Sequence, residues 1–136
     1  MLDALGARAA TACQDQAMDD ESPVAQAEVV DLPTEFGPAQ TGLISVLLDV
    51  REDDEWQRGH AAGALHIPMG QVPARLAEID AQAELYVICH AGGRSLRVAR
   101  YLQQNGYRPL NVNGGMLAWA GAGRPVVTDA GEPGAV

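Results

Sequence analysis

Residues 85–95 constrain this chain more than any other stretch. The run Leu85-Tyr86-Val87-Ile88 is short, apolar and rich in β-branched and aromatic side chains, the pattern of a buried strand. It leads directly into Cys89-His90-Ala91-Gly92-Gly93-Arg94-Ser95. Beyond the loop Leu96, Ala99 and Leu102 recur at helical spacing, and Asn105-Gly106 supplies a stop. Strand, tight loop and helix in that order place Cys89 at a strand's carboxyl end, the edge where ligands bind in open α/β sheets. The helix would aim its free N–H groups and positive dipole end at the sulfur. Gly92 and Gly93 allow positive φ, so the loop can turn its amides toward one centre. Arg94 adds a permanent cation and Ser95 reads as the helix N-cap. Such surroundings favour a thiolate.

The rest of the chain repeats the alternation of strand and helix. Residues 29–32 read as a first strand, residues 33–38 as a loop or a stub of helix, and residues 44–50 as a nearly continuous apolar strand covered on both faces. Asp53-Asp54-Glu55-Trp56 opens a short helix with carboxylates in its first turn, and Gly59 ends it. Residues 64–67 form a short strand stopped by Pro68, and a helix begins near Pro73 with residues 75–79 facing the core. A fifth strand at residues 109–112 is followed by Gly114-Gly115 and a last helix carrying Trp119. Alternating strands and helices imply right-handed crossovers. The predicted fold is α/β, with a mostly parallel central sheet of about five strands and helices on both faces. A length of 136 residues suits one domain, here residues 24–127. Residues 1–23 read as a loosely ordered N-terminal extension and residues 128–136 as a frayed tail.

Charge narrows the partners. Nine Lys and Arg against eighteen Asp and Glu give a formal charge of −9, which argues against nucleic acid or an anionic membrane. No run reaches the apolar length of a membrane span, and Asp3 and Arg8 spoil a secretory signal. The two cysteines, Cys13 and Cys89, make no disulfide framework, so the chain is expected in a reducing, cytoplasmic setting with Cys13 incidental. Three histidines without a Cys or His pair at ligand spacing give no reason to expect a metal.

Together with the cysteine loop, Leu48-Asp49-Val50-Arg51, Gly59-His60, Gly63-Ala64 and Gly114-Gly115-Met116-Leu117-Ala118-Trp119 resemble the rhodanese domain over residues 24–127. The resemblance implies a sulfurtransferase whose Cys89 takes a sulfane sulfur from a donor such as thiosulfate and passes it to cyanide, a thiol or a protein acceptor. It needs no metal or organic cofactor. In that family the residue matching Asp49 helps hold the active-site loop. Arg51 and Glu55 are expected to pair across a turn, while His60 and Trp119 give support, Trp119 from the core. Rhodaneses that use thiosulfate often carry arginine directly after the cysteine, where this chain has His90, whose imidazole is a conditional cation.

Two other classes share these features. Phosphatases and arsenate reductases also place a cysteine before an anion-cradling loop closed by arginine. Theirs resembles Cys-X5-Arg, whereas four residues separate Cys89 from Arg94. A non-catalytic carrier or regulatory module is the third class, and the retained cysteine argues against a purely regulatory one.

Overall fold

A computed structural model describes residues 23–38 and 44–136. The expectations for residues 1–22, Cys13 among them, lie outside the described residues. Five strands run parallel: β1 (Ala25–Ala27), β3 (Ile44–Asp49), β4 (Leu65–His66), β5 (Glu84–Ile88) and β6 (Pro109–Val112). A two-residue strand, β2 (Gly37–Pro38), pairs antiparallel with the start of β3. The order is β1-β6-β5-β3-β2, with β4 also on β3. The described residues also form three α-helices: α1 (Asp53–Arg58), α2 (Gly93–Gln104) and α3 (Gly115–Gly121).

This order creates a switch point. From β3 the chain passes to β4 on one side, returns to β5 on the other, and moves on from β5 to β6. Connections leaving the carboxyl ends of β3 and β5 therefore diverge, opening the crevice in which α/β proteins hold ligands. Cys89 follows β5 there, and Asp49 ends β3.

Side-chain alternation divides the core between two faces. Leu48, Leu85, Val87 and Cys89 point to the face covered by Val98, Ala99 and Leu102 of α2. Leu47, Ile88 and Val112 point to the face covered by Met116 and Trp119 of α3. Leu47, Leu48, Val87 and Ile88 are fully buried, which explains why β3 and β5 read as continuous apolar runs.

Three local expectations are corrected. The first strand is Ala25–Ala27, and Val29–Asp31 is a 3-10 turn that seats Val29 and Leu32 in the α3-side core. Two apolar positions three apart fit that turn better than strand alternation. Residues 33–36 are loop, one of the two expected readings, while Gly37–Pro38 joins the sheet edge. Pro73–Glu78 is 3-10 helix with a non-helical Arg75, followed by buried Ile79.

The tail after Thr128 docks. Val127 exchanges two backbone hydrogen bonds of 2.8 Å with His60, Gly134 donates to the Val126 carbonyl, and Ala135 donates to that of Arg58. Gly134 and Gly59 have no side chains between them, which permits this approach; a Cβ on Gly59 would strike the Ala135 backbone. Backbone pairing, invisible to a hydropathy reading, holds the segment.

The helix α3 is fixed at its start by the cysteine loop. The amides of Met116 and Leu117 donate to the carbonyls of Cys89 and His90 at 2.8 and 3.0 Å. Gly115 lies in the left-handed region at φ +58°, and a Cβ there would run into the Cys89 and His90 carbonyls. Gly115→Ala should cost at least about 2 kcal/mol, from left-handed backbone and collision together. Gly121→Ala, at the helical end of α3 with nothing within 4 Å of an added Cβ, should change stability by less than about 1 kcal/mol. Urea unfolding of both variants checks the contrast; equal effects would contradict it.

Candidate active site

Cys89 is 1% exposed and heads the loop that enters α2. Gly92 takes the left-handed conformation, φ +111°, and serves as the N-cap of the helix. That turn brings its amide to 3.1 Å from the cysteine sulfur. Ser95 is therefore the third residue of α2, not its cap, and its hydroxyl lies 3.3 Å from the same sulfur. Burial alone would push the Cys89 thiol up. The Ser95 hydroxyl and the amides of Ser95, Gly92 and Ala91 outweigh it, and the thiol is held below its ordinary value. Ala91 and Gly93 form the exposed part of the loop, and His90 is half-buried.

The expected cation is present, but not bare. Arg94 forms a two-pronged ion pair with Glu55 of α1, at 2.7 and 2.9 Å. Glu55 also accepts the Glu52 amide in the capping box of α1, so one carboxylate ties the start of α1 to the start of α2. The Arg94 guanidinium holds the Glu55 carboxyl down at about 2, against the opposing effect of burial. Arg94 is raised in turn, first by that hydrogen bond and further by the neighbouring Cys89.

Arg51 does not pair with Glu55. Its guanidinium clasps both carboxylate oxygens of Asp49, with the shortest contact at 2.8 Å, and donates to the Gly59 carbonyl. Both side chains are 1% exposed. Breaking such a buried pair from one side typically costs about 3–5 kcal/mol, so Asp49 and Arg51 anchor the sheet's edge. His60 and His66, four and ten residues beyond Trp56, both stack on its ring, at centroid distances of 3.5 and 4.6 Å. His60 also contacts Asp129 and pins the docked tail; His66 bonds the Arg51 carbonyl. Trp119 lies in the α3-side core, donates to the Pro125 carbonyl and supports Arg124 over its ring.

Sequence reasoning missed Asn111. Its side chain, 3% exposed on β6, reaches Ser95, the Gly92 carbonyl and Gln26. An inward-facing amide in an otherwise apolar strand was the available signal. Among the described residues no helix is long and apolar enough to cross a membrane.

A family profile described as the rhodanese-like domain matches residues 32–122, which takes in Asp49, the whole cysteine loop and Trp119. The chain belongs to the rhodanese-like domain family. It is 43% identical over 79 residues to a protein of Bacillus subtilis (strain 168) named putative sulfurtransferase YtwF, covering 58% of this chain and 77% of that protein. It is 39% identical over 87 residues to a sulfurtransferase of Allochromatium vinosum, covering 63% and 81%. A second B. subtilis relative, named putative sulfur carrier protein YrkF, is 42% identical over 76 residues, 55% of this chain and 41% of that protein. The rhodanese fold is equally plain in structure: a rhodanese-related protein of Thermoplasma volcanium superposes with a TM-score of 0.66 at 27% identity, over 77% of this chain and 99% of its own.

The Glu55–Arg94 pair gives this rhodanese-like domain a measurable acid response. A carboxylate held below its ordinary value stabilises the fold only while ionised. The contribution of the pair is whole above pH 4.5 and fades as pH falls to about 2. Glu55→Gln should cost about 1 kcal/mol at neutral pH, after allowance for the partly exposed pair, and the gap to the unaltered protein should close between those values. Urea midpoints across that range test it; a constant gap would contradict the pair's role.

Proposed function

We propose that this chain is a sulfurtransferase that carries a sulfane sulfur on Cys89. The observation that carries the reading is the set of donors converging on one buried sulfur at the start of a twelve-residue helix. In the first step the Cys89 thiolate attacks the outer sulfur of thiosulfate, the S–S bond of the donor breaks, and sulfite leaves with its electron pair. The product is a cysteine persulfide with its negative charge on the outer sulfur, where inward amides and the dipole of α2 stabilise an anion. A thiophile then attacks that outer sulfur and the Cys89 thiolate is restored. Cyanide would leave as thiocyanate and a thiol as its persulfide, so charge and atoms balance without a redox partner. The names of the Bacillus and Allochromatium relatives agree with this class of reaction. The acceptor would be a small thiol or a protein thiol, in the cytoplasm.

The four-residue spacing between Cys89 and Arg94 favours this reading over phosphate hydrolysis, and so does the engagement of Arg94 with Glu55. A phosphatase would need that guanidinium for its substrate.

Exposure of the purified protein to thiosulfate should add the mass of one sulfur atom to the peptide containing Cys89, and cyanide should remove it with release of thiocyanate. Cys89→Ser should lose turnover completely while keeping its unfolding midpoint, and Cys13→Ser should keep full turnover. Aryl phosphates should not be hydrolysed. Turnover in a folded Cys89→Ser protein would refute the covalent route. Loading without turnover toward any thiol or cyanide would instead assign the chain the carrier role that the name of YrkF gives that relative.

A further inference from the structure

Ser95 has one hydroxyl proton and three acceptors around it: the Cys89 sulfur at 3.3 Å, the Gly92 carbonyl at 3.2 Å and Oδ1 of Asn111 at 2.5 Å. Asn111 is 3% exposed, and Nδ2 of its amide faces two oxygens, Oε1 of Gln26 at 3.1 Å and the Gly92 carbonyl at 3.3 Å. Those two acceptors fix the amide with Nδ2 toward the loop, which leaves Oδ1 turned to Ser95. The Gly92 carbonyl also accepts the Leu96 amide, so it is satisfied without Ser95. The real contest for the hydroxyl proton is between Asn111 and the sulfur.

We propose that Asn111 is a positioning residue that competes with the Cys89 sulfur for the Ser95 hydroxyl, and thereby restrains thiolate formation in the empty protein. With Cys89 as a neutral thiol, Ser95 donates to Asn111 and its lone pair can receive the S–H. When the thiol gives its proton to solvent, the hydroxyl rotates about the Cβ–Oγ bond to the sulfur anion, and the buried Oδ1 of Asn111 loses its donor. No proton leaves Ser95 in either state. In the persulfide the charge lies on the outer sulfur and the inner one is neutral. The hydroxyl can then return to Asn111, so the same contest favours the loaded cysteine over the bare thiolate. This last consequence rests on the sulfur-transfer reading; the contest itself does not.

Other charged and titratable groups around the sulfur are Arg94 with Glu55 behind it, His90 in the loop, and the Asp49–Arg51 pair at the end of neighbouring β3. All are unchanged in the variants that separate the effects. The rate of alkylation at Cys89, read by peptide mass spectrometry against pH, reports thiolate formation without any sulfur donor. Asn111→Leu keeps the bulk and removes the acceptor, so the thiolate should form about threefold to tenfold more readily and the midpoint should fall by about half to one pH unit. Asn111→Asp keeps an acceptor in place, and its midpoint should stay at or above that of the unaltered protein. Ser95→Ala should raise the midpoint, and adding Asn111→Leu to it should cause no further change. Midpoints that fall alike in Asn111→Leu and Asn111→Asp, or an equal effect of Asn111→Leu with and without Ser95, would overturn the proposal and reduce Asn111 to a packing role. Should the leucine variant fail to fold, the aspartate variant alone still decides, because a lowered midpoint there is incompatible with the contest.

Discussion

A loop can turn its amides toward one atom only if its carbonyls turn away and find donors elsewhere. That constraint organises the structure around Cys89. The amides of Ala91, Gly92 and Ser95 act on the sulfur, and the displaced carbonyls are taken up by neighbouring elements. Met116 and Leu117, at the start of α3, take the carbonyls of Cys89 and His90; Leu96 and Asn111 take that of Gly92. Gly115 is needed because the first turn of α3 must approach the loop backbone more closely than any side chain allows. The Gly-Gly pair, twenty-five residues beyond Cys89 in the chain, is thus part of the same anion site.

Two ion pairs divide the remaining work. Asp49 and Arg51 are buried, and both oxygens of the carboxylate are engaged by the guanidinium, which also holds the Gly59 carbonyl, so the pair fixes the carboxyl end of β3 beside Cys89. Glu55 and Arg94 are partly exposed and bridge α1 to the first turn of α2, holding a cation near the sulfur while largely neutralising it. Local positive charge at the thiolate therefore comes more from oriented backbone dipoles than from a free guanidinium.

Much of this was legible in the residues. The apolar runs before Asp49 and Cys89 gave the buried strands, and the glycines after Cys89 gave the loop, because each follows from local chemistry. The side-chain pairings were not legible. Arg51 was expected to reach Glu55 across the turn, yet it lies only two residues from Asp49, and the strand's end sets its direction. Ser95 looked like a cap because its residue type favours caps, yet Gly92 took that place by adopting a left-handed conformation. The contacts of Asn111 and the docking of residues 128–136 join segments distant in the chain, which no single window contains; Trp56, His60 and His66 fall within eleven residues, but on a helix, a loop and a strand whose relative placement no local pattern sets.

Converging loop amides hold the charge of Cys89. Following the amide proton resonances of Ala91, Gly92 and Ser95 by NMR as pH is raised measures this directly. They should titrate together, with one shared midpoint below the value of about 8.5 of an unperturbed cysteine. Amides that stay silent while Cys89 titrates, or a shared midpoint at or above that value, would contradict it.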